Sequence, residues 1–241
     1  MAQTIVITGA SSGLGLVFLQ HYASQTPPPL IIALDTAPLP SSVPPSEDIR
    51  FFQTNITSPS ALEPVIASLD SAPIDLLIHS AGIRGLVPRM VQEKRGDVTA
   101  AETWEVMDQS TFTRTFEVNT WGSFNVVTSF LPNLKRALDA RVVLLSSRMG
   151  SVSANVAGGG YAYRASKAAL NTVVKSFSID VPEVTFLLLH PGRVQTGLVE
   201  WKEEGAISTE ESLKDCLNVI EGLKREDSGK LVDRFGEVIP W

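Results

Sequence analysis

Residues 4 to 15 read Thr4-Ile-Val-Ile-Thr-Gly-Ala-Ser-Ser-Gly-Leu-Gly15. The first five are apolar or β-branched, as in a buried parallel strand. A glycine-rich loop follows, and the apolar run through Phe18 and Leu19 then predicts a helix. A strand, a glycine loop and a helix in this order place a phosphate group against the N-terminus of the helix. The stretch therefore predicts the first strand and turn of a nucleotide-binding α/β sheet.

The glycines of this loop are spaced G-x-x-x-G-x-G, which differs from the G-x-G-x-x-G form of many dinucleotide-binding turns. Glycine lets the backbone turn tightly and approach a pyrophosphate with no Cβ atom in the way. An ordinary tight turn is the alternative, but the flanking strand and helix favour cofactor binding. The candidate contacts are Gly9, Ser11, Ser12, Gly13, Leu14 and Gly15.

A second buried strand is predicted over Leu30 to Leu34, and Asp35 stands at its end, twenty residues after Gly15. An acid at this place accepts hydrogen bonds from the adenosine ribose of NAD, and its charge repels the additional phosphate of NADP. No arginine or lysine lies beside Asp35 or in the glycine loop. The sequence therefore predicts NAD as the preferred cofactor and leaves NADP as the second choice. A solvated acid at a strand end is the alternative.

The remaining chain continues to alternate between strands and helices. We expect strands over residues 49–53, 75–79, 142–145, 184–189 and 230–232, and helices over 59–69, 110–130, 161–174 and 209–223, with Ser58 and Thr209 as N-caps. The alternation predicts a Rossmann-type doubly wound parallel β-sheet with helices on both faces. Since no linker or repeat interrupts it, residues 1–241 are expected to form a single domain. Residues 84–103 are interpreted as a solvated loop, with a substrate or partner surface as the alternative, and residues 193–208 as a substrate loop or lid.

Tyr163 and Lys167 are four residues apart in the third of these helices, so their side chains share one helix face. A tyrosine normally keeps its proton up to a pKa of about 10. A nearby ammonium group favours the phenolate and lowers that pKa, which would suit Tyr163 to general acid or base catalysis near neutral pH. Pairs with this spacing also occur by chance on many helices, so the rest of the sequence has to decide.

Further candidates stand where the predicted strands end. Ser147 follows the fifth strand, and Ser80, Ala81 and Gly82 follow the fourth. The carboxyl ends of parallel strands face the crevice in which such sheets bind ligands. Asn119 lies inside a predicted helix, where asparagine is unusual. It is either a satisfied polar group of the core or a site residue.

Taken in order, these pieces resemble the short-chain dehydrogenase/reductase family along nearly the whole chain. The matching motifs are Thr8-Gly9-(x)3-Gly13-x-Gly15, His79-Ser80-Ala81-Gly82, the tetrad Asn119, Ser147, Tyr163 and Lys167, and Pro191-Gly192 with Thr196. The run from Tyr161 to Asn171 and the ending Ile239-Pro240-Trp241 look more narrowly like the C-factor/sniffer-type carbonyl reductase branch.

The resemblance implies the remaining cofactor contacts. On the adenine side they are Asn55 and Ile56. At the middle and the nicotinamide side they are Ser80, Ala81, Gly82, Asn119, Tyr163, Lys167, Pro191, Gly192, Val194 and Thr196. Relatives in the narrower branch often use NADP, which disagrees with Asp35. We follow Asp35, because a carboxylate acts directly on the group that differs.

The resemblance also implies an NAD(P)-dependent oxidoreductase of the carbonyl reductase or alcohol dehydrogenase type. Tyr163 would donate a proton to the carbonyl oxygen, and Ser147 would hydrogen-bond that oxygen. Lys167 would lower the pKa of Tyr163 and hold the nicotinamide ribose, and Asn119 would hold a water that links Lys167 to solvent. The partner is then a small carbonyl or alcohol substrate. By resemblance alone we expect a homodimer or homotetramer.

Three departures from the family pattern matter. His79-Ser80 replaces a pair of asparagines, and Asn55-Ile56 replaces an Asp-Val pair, which keeps an acceptor but loses a charge. Ser147 lies sixteen residues before Tyr163, a wider spacing than is common in the family. The additional residues fall in Ala157-Gly158-Gly159-Gly160. Tyr161 is nearer the common distance, but the residue four positions after it is alanine, so Tyr163 is preferred.

Composition excludes several classes of function. The chain has 241 residues, a net charge of −6 and one cysteine, Cys216. No basic patch indicates nucleic acid, and a lone cysteine forms no internal disulfide, although a redox thiol stays open. The three histidines lack metal-site spacing, so no metal is expected. No apolar run reaches the roughly 20 residues that cross a membrane, and no signal peptide is recognised, so a cytoplasmic location is expected.

Two other functions stay open. The chain is alternatively a non-catalytic nucleotide-binding sensor or scaffold that keeps the fold. It is otherwise an enzyme of a biosynthetic pathway that uses the same fold for a different reaction, such as dehydration or cyclisation. A fold does not fix a function, and an intact tetrad argues against the non-catalytic alternative.

Overall fold

The protein is built around one seven-stranded parallel sheet. A computed structural model describes residues 3–199, 201 and 203–241. The strands are β1 (Thr4–Thr8), β2 (Leu30–Asp35), β3 (Ile49–Gln53), β4 (Leu76–His79), β5 (Arg141–Leu145), β6 (Thr185–His190) and β7 (Lys230–Asp233). They lie in the order β3-β2-β1-β4-β5-β6-β7, and every neighbouring pair is parallel. The predicted doubly wound sheet is confirmed, and each predicted strand agrees with the observed one to within one residue at either end.

Helices connect the strands. They are α1 (Gly13–Ala23), α2 (Pro59–Leu69), α3 (Pro88–Glu93), α4 (Gln109–Phe116), α5 (Ser123–Leu134), α6 (Tyr161–Asp180) and α7 (Thr209–Glu221). The single helix predicted over 110–130 is α4 and α5 joined by a π-helical turn, Glu117–Gly122. Helix α6 continues six residues beyond its predicted end at Val174, because Val174 and Phe177 still face the core.

Alternate strand residues pack against opposite layers of helices. Val6, Ile32 and Leu77 belong to a buried cluster with the apolar faces of α2, α5 and α6. Ile5, Ile7 and Ile31 belong to a second cluster with α1 and α7. Both faces of the sheet are therefore covered, which is why these strands read as continuous apolar runs rather than as alternating ones.

The strand order places the ligand crevice. The chain moves outward from β1 to β3 and then returns to the other side of β1 as β4. The loops after β1 and β4 therefore diverge at the carboxyl edge of the sheet, and such a switch point opens a crevice for a ligand. The glycine loop follows β1, and Ser80-Ala81-Gly82 follows β4.

Two local predictions were wrong, and a third is met in position only. Ser208, not Thr209, is the N-cap of α7, since its hydroxyl accepts a hydrogen bond of 3.1 Å from the backbone N–H of Glu211. Ser58 is the N-cap of α2 as predicted, but its side chain makes no capping hydrogen bond. Residues 84–103 are not a uniformly solvated loop, because they contain α3 and a largely buried ion pair between Arg84 and Glu102.

Cys216 lies on α7, inside the cluster that α7 forms with α1. Burial raises the pKa of its thiol to about 11. The group therefore stays protonated near neutral pH, and the thiolate that redox chemistry requires is disfavoured.

Among the helices of the described ranges, none has the length and apolar character needed to cross a bilayer.

Candidate active site

A crevice opens at the carboxyl edge of the sheet, between the loops after β1 and β4. It encloses about 300 Å³. The predicted site residues that line it are Gly9, Ser12, Gly13, Leu14, Asp35, Asn55, Ile56, Ser80, Ala81, Gly82, Tyr163, Lys167, Pro191 and Thr196. These residues come from six separate segments of the chain, as expected for a long ligand lying across the sheet.

The glycine loop is packed too closely for side chains. Gly9 has a φ of +68°, and a Cβ atom there would lie 2.8 Å from the backbone nitrogen of Ala81. A Cβ atom on Gly15 would lie 2.0 Å from the carbonyl oxygen of Gly9. Gly13 is packed against the side chain of Thr196, which a Cβ atom would approach to 3.2 Å. The spacing G-x-x-x-G-x-G thus brings the helix α1 N-terminus directly under the loop, leaving backbone exposed to the crevice.

Asp35 is held at the end of β2 by backbone donors. Its Oδ2 accepts a hydrogen bond from the N–H of Ser11 at 2.9 Å, and its Oδ1 accepts one from the N–H of Ala37 at 3.0 Å. The Ser11 hydroxyl in turn donates to the carbonyl oxygen of Ala37 at 2.7 Å. Ser11 therefore ties the glycine loop to Asp35 and does not line the crevice itself. Asp35 does line it.

On the adenine side, Asn55 forms a local turn. Its Oδ1 accepts hydrogen bonds from the backbone N–H and the hydroxyl of Thr57, at 3.0 and 3.1 Å. The backbone carbonyl oxygen of Ile56 accepts a hydrogen bond from Asn125 Nδ2 at 2.8 Å. The acceptor expected of Asn55 is thus already used within the protein, while its position on the crevice wall is as predicted.

The buried side chain of His79, at the end of β4, links β1 to the first residue of α5. Its Nδ1 lies 2.9 Å from Thr8 Oγ1, and its Nε2 lies 2.8 Å from Ser123 Oγ. Ser123 donates its single proton to the carbonyl oxygen of Asn119, so it accepts from His79, and Nε2 therefore carries the hydrogen. Burial, and secondly the charge of Lys167, lower the pKa of His79 to about 3, so the ring is neutral. Nδ1 then accepts from Thr8, whose hydroxyl accepts from the N–H of Ala81.

Asn119 lies in the π-helical turn and is fully buried. Its Oδ1 accepts from the N–H of Ile83, and its Nδ2 donates to the carbonyl oxygen of Ile83, both at 2.8 Å. Nδ2 also donates to Ser166 Oγ at 3.0 Å. The side chain thus has partners on every polar atom and joins the loop after β4 to α6. The role predicted for Asn119, to hold a water that links Lys167 to solvent, stays a prediction.

Tyr163 is buried between Arg84 and Lys167. The guanidinium carbon of Arg84 lies 4.9 Å from the centre of the phenol ring, and Lys167 Nζ lies 5.8 Å from it. Burial raises the pKa of Tyr163, while the charge of Arg84 and the hydroxyl of Ser147 act in the opposite direction. The predicted lowering of this pKa by Lys167 is therefore wrong in this structure. The cation that acts on the phenol is Arg84.

Lys167 extends from α6 to the end of β5. Its Nζ donates a hydrogen bond of 2.7 Å to the carbonyl oxygen of Leu145. Burial lowers the pKa of the ammonium group to about 8. Gly82 packs next to it, since a Cβ atom on Gly82 would lie 3.8 Å from Nζ. The lysine thus reaches the crevice floor, beside the loop after β4.

A second cavity, here called the side cavity, lies on the other side of Tyr163. It encloses about 320 Å³ and is lined by Ser147, Tyr163, Arg84, Met149, Leu198 and residues around them. Gly192 and Val194, predicted cofactor contacts, line the side cavity and not the crevice. Since Tyr163 borders both spaces, a molecule in the side cavity meets its hydroxyl next to whatever occupies the crevice.

Most predicted site residues are therefore brought together at one place. Gly15, Ser11 and Asn119 support the crevice from behind without lining it, and Ser147 lines only the side cavity. Arg84 was missed as a site residue. The signal that would have found it is its place in the loop after β4, directly after Gly82 and Ile83, at the carboxyl edge.

The segment predicted as a lid is tied down at its base. Ile207 donates its N–H to the carbonyl oxygen of Arg193, and Gln195 donates to that of Ile207, both at 2.9 Å. Leu198 and Glu203 of this segment border the side cavity. The lid prediction also covers residues 200 and 202, which lie outside the described residues.

The crevice fits a dinucleotide. A Cβ atom at Gly9 or Gly15 would fill the space against the loop, so bare backbone is presented at the N-terminus of α1, where a phosphate is favoured. At one end of the crevice stand Asp35 and Asn55, and at the other stand Tyr163 and Lys167.

Comparison with known proteins agrees with this geometry. A family model described as short chain dehydrogenase matches residues 3–206. The C-signal protein of Myxococcus xanthus is 39% identical over 173 residues, which cover 71% of this chain and 95% of that protein.

Solved structures show the same architecture. An NADPH-bound carbonyl reductase from chicken fatty liver matches with a TM-score of 0.82 and 25% identity, covering 100% of this chain and 99% of that one. Carbonyl reductase Sniffer of D. melanogaster matches with a TM-score of 0.82 and 23% identity over 100% of both chains. The chain belongs to the short chain dehydrogenase family, and it shares the fold of these carbonyl reductases.

Proposed function

We propose that this NAD(P)-dependent oxidoreductase interconverts a carbonyl compound and the corresponding alcohol, with Tyr163 as the general acid and base. The observation that carries the proposal is the position of Tyr163 between two spaces. It borders the dinucleotide-sized crevice together with Lys167, and it borders the side cavity together with Ser147. A substrate carbonyl in the side cavity would thus lie between a proton donor and the nicotinamide end of the crevice.

Each side chain of the site has a separate role in the proposed reaction. When bound, the reduced nicotinamide supplies the hydride, which is chemistry that no side chain offers. Tyr163 gives its proton to the carbonyl oxygen, and the Ser147 hydroxyl stabilises the charge that develops there. Lys167, with a pKa of about 8, is suited to exchange a proton with its surroundings near neutral pH. Asn119 hydrogen-bonds the Ile83 backbone and Ser166, and so fixes the loop after β4 relative to α6. It is a positioning residue.

The choice of cofactor is part of the proposal. The predicted preference for NAD finds no support among the similar proteins, because the chicken reductase holds NADPH. That relative favours NADP(H) for this chain as well. Asp35 works against it, since a carboxylate beside the adenosine ribose repels the 2′-phosphate. We therefore propose that NADP(H) is accepted and that Asp35 weakens its binding relative to a neutral residue at the same place.

Two measurements test the proposal. Fluorescence titration with NADPH and with NADH ranks the cofactors without a known substrate, and ligand binding to the folded state also raises Tm. Loss of NADPH absorbance on addition of a panel of aldehydes and ketones then tests turnover. Cofactor binding with no turnover of any carbonyl or alcohol compound would contradict the oxidoreductase assignment.

One observation favours a second function. The relative from Myxococcus xanthus is named for a signal and not for a reaction. A non-catalytic signalling or scaffold role is therefore the second candidate. It predicts that Tyr163→Phe leaves the biological activity intact, whereas the oxidoreductase proposal predicts its loss.

The assembly and location expected from the sequence stay proposals. Trp121 and Phe124 stack on each other next to α5 and are 44% and 38% exposed. Large aromatic groups on one exposed face suit a contact between subunits. A homodimer or homotetramer is proposed on this ground, and light scattering of the purified protein measures it. A cytoplasmic location is proposed with it, and cell fractionation tests that.

A further inference from the structure

Arg84 presents an unused corner of its guanidinium group in the side cavity. Its Nε and Nη2 donate to the two carboxylate oxygens of Glu102, each at 2.8 Å. Within the described part of the chain, Nη1 donates to no acceptor, and it is not sealed away from solvent. The side chain as a whole is only 13% exposed. Arg84 lines the side cavity together with Tyr163, so the N–H donors that Glu102 leaves free are available to a ligand there.

The Arg84–Glu102 ion pair turns its positive group towards the Tyr163 phenol. The Arg84 guanidinium carbon lies 4.9 Å from the centre of the Tyr163 ring. The charge of Arg84 acts on the phenol more strongly than the opposing charge of Glu102 does, as the causes of the shifted pKa of Tyr163 show. The positive end of the pair thus faces the reacting group, and the carboxylate lies behind it.

Most other charged groups that line the side cavity carry the same sign as Arg84. Among the described residues, Arg148, Arg164 and Arg193 line it together with one carboxylate, that of Glu203. Arg148 pairs with Asp233, but Arg164 and Arg193 form no side-chain ion pair with another described residue. A chain with a net charge of −6 thus places an excess of guanidinium groups around one cavity. Such clustering attracts an anion and raises its local concentration.

The rest of the lining is apolar. Leu14, Met149, Val194, Leu198 and Val199 contribute hydrocarbon surface to the same 320 Å³. An apolar wall with a few convergent donors is the usual form of a small-molecule site. The side cavity therefore suits a molecule with an anionic head beside Tyr163 and an apolar body.

We propose that the substrates are carbonyl compounds with a carboxylate next to the carbonyl, that is, 2-oxo acids with an apolar side chain, and that Arg84 selects them. A guanidinium edge binds a carboxylate through parallel N–H donors in a fixed plane. The inference rests on the proposed oxidoreductase function and adds the substrate class to it.

The reaction balances without any further reagent. The C=O π bond opens, its carbon takes the hydride supplied by the reduced nicotinamide, and its oxygen takes the proton of the Tyr163 hydroxyl. The product is a 2-hydroxy acid, and the nicotinamide is left oxidised. The carboxylate is unchanged and stays on Arg84 throughout.

The test compares phenylglyoxylate with its methyl ester, which has nearly the same shape but no charge. With wild-type protein we expect kcat/KM for the acid to exceed that for the ester by about tenfold or more, because a hydrogen bond to a charged group contributes about 1.5–3 kcal/mol. In the presence of NADP⁺, the acid should also raise Tm more than the ester does, which is a readout independent of turnover.

The variant that removes the selecting group is Arg84→Met with Glu102→Leu. Replacing both members of a buried ion pair leaves no unpaired charge and is often neutral for stability. In this variant we expect the ratio of kcat/KM for the acid to kcat/KM for the ester to fall by about tenfold or more. The effect of the lost guanidinium on Tyr163 acts on both substrates and cancels in this ratio. The matched control is Lys135→Met with Glu183→Leu, which removes an exposed ion pair and should keep the preference.

The outcomes separate the two proposals. Wild type that reduces 4-nitrobenzaldehyde or the ester, but shows no preference for the acid in kcat/KM or in Tm, overturns the inference about Arg84. The oxidoreductase function then stands. The inference is also overturned if the double variant keeps the acid preference. If no carbonyl compound is reduced and neither cofactor binds, the proposed function fails and takes the inference with it.

Discussion

The backbone N–H of Ser11 donates a hydrogen bond of 2.9 Å to the carboxylate of Asp35, and so fastens the glycine loop to the end of β2. The second carboxylate oxygen of Asp35 is held by the N–H of Ala37. The acid is thus part of the loop's scaffold as well as of the crevice wall. Its charge and its role as an acceptor need to be separated by experiment.

Asp35→Asn removes the charge and keeps one acceptor for these N–H groups. We expect the ratio of Kd for NADPH to Kd for NADH to fall, because the repulsion of the 2′-phosphate is relieved. Fluorescence titration with both cofactors measures the ratio. In Asp35→Ala the acceptor is lost too, so both Kd values should rise. An unchanged ratio in Asp35→Asn would mean that the carboxylate does not face the ribose.

Tyr163→Phe removes the proposed proton donor and keeps the ring. We expect kcat to fall by about 10²–10⁴-fold, the usual contribution of general acid catalysis, while the Kd of the cofactor stays close to that of wild type. Steady-state kinetics and titration measure the two quantities. The control is Tyr161→Phe, two residues earlier on α6 with a side chain 44% exposed. Equal losses in both variants would contradict the choice of Tyr163.

His79→Asn tests the neutral buried imidazole through the pH dependence of stability. Above pH 6.5 the ring is neutral in both the folded and unfolded states, so it adds no pH dependence. Because its folded pKa is about 3, the unfolded state alone binds a proton as the pH falls from 6.5 towards 3. The free energy of unfolding of wild type should therefore decrease, with this residue contributing up to about 1.4 kcal/mol per pH unit.

Urea unfolding at pH 7, 6, 5 and 4 measures this slope, and in His79→Asn it should be shallower. His190, whose pKa is lowered to about 4, adds a slope of the same sign that the variant retains. His21→Asn, on the partly exposed surface of α1, is the control. An identical slope in wild type and His79→Asn would show that the imidazole is protonated in the folded state.

Gly15→Ala should abolish cofactor binding. The new Cβ atom would lie 2.0 Å from the carbonyl oxygen of Gly9, so loop and helix α1 have to move apart. Gly222→Ala is the control, because Gly222 lies outside the crevice and a Cβ atom there would lie 3.2 Å from the carbonyl oxygen of Asn218. Titration with NADPH compares the two. Wild-type affinity in Gly15→Ala would mean that the loop does not carry the phosphates.

The sheet was predictable because most of its strands are short apolar runs. Such runs can be recognised in the local sequence without knowledge of any distant contact. Strand bounds such as those of β1 and β3 follow from the sequence alone. The crevice was predictable for the same reason, since parallel strands bring their carboxyl ends to one edge. Residues at or just after the end of a strand, such as Asp35 and Ser80, were therefore correctly predicted to line the crevice.

The π-helical turn at Glu117–Gly122 was not predictable from its own residues. The turn holds Asn119, whose amide is bound by Ile83, thirty-six residues earlier in the chain. A contact of this range has no local signature. The same holds for Arg84 and Glu102, which look like solvated charges until residues 84–103 fold against Tyr163. The wrong sign expected for the pKa of Tyr163 follows from this, because burial and Arg84 were both unseen.

Because the seven strands run parallel, the site lies at the carboxyl edge of the sheet. The amino edge, on the opposite side, carries no part of it. Leu138, in the turn between α5 and β5 at that edge, has a fully exposed side chain. A Leu138→Cys substitution would place a reactive thiol there, and the buried Cys216, with a pKa of about 11, would not compete for a maleimide label. The protein offers a natural point for tethering to a sensor surface with its crevice facing the solution.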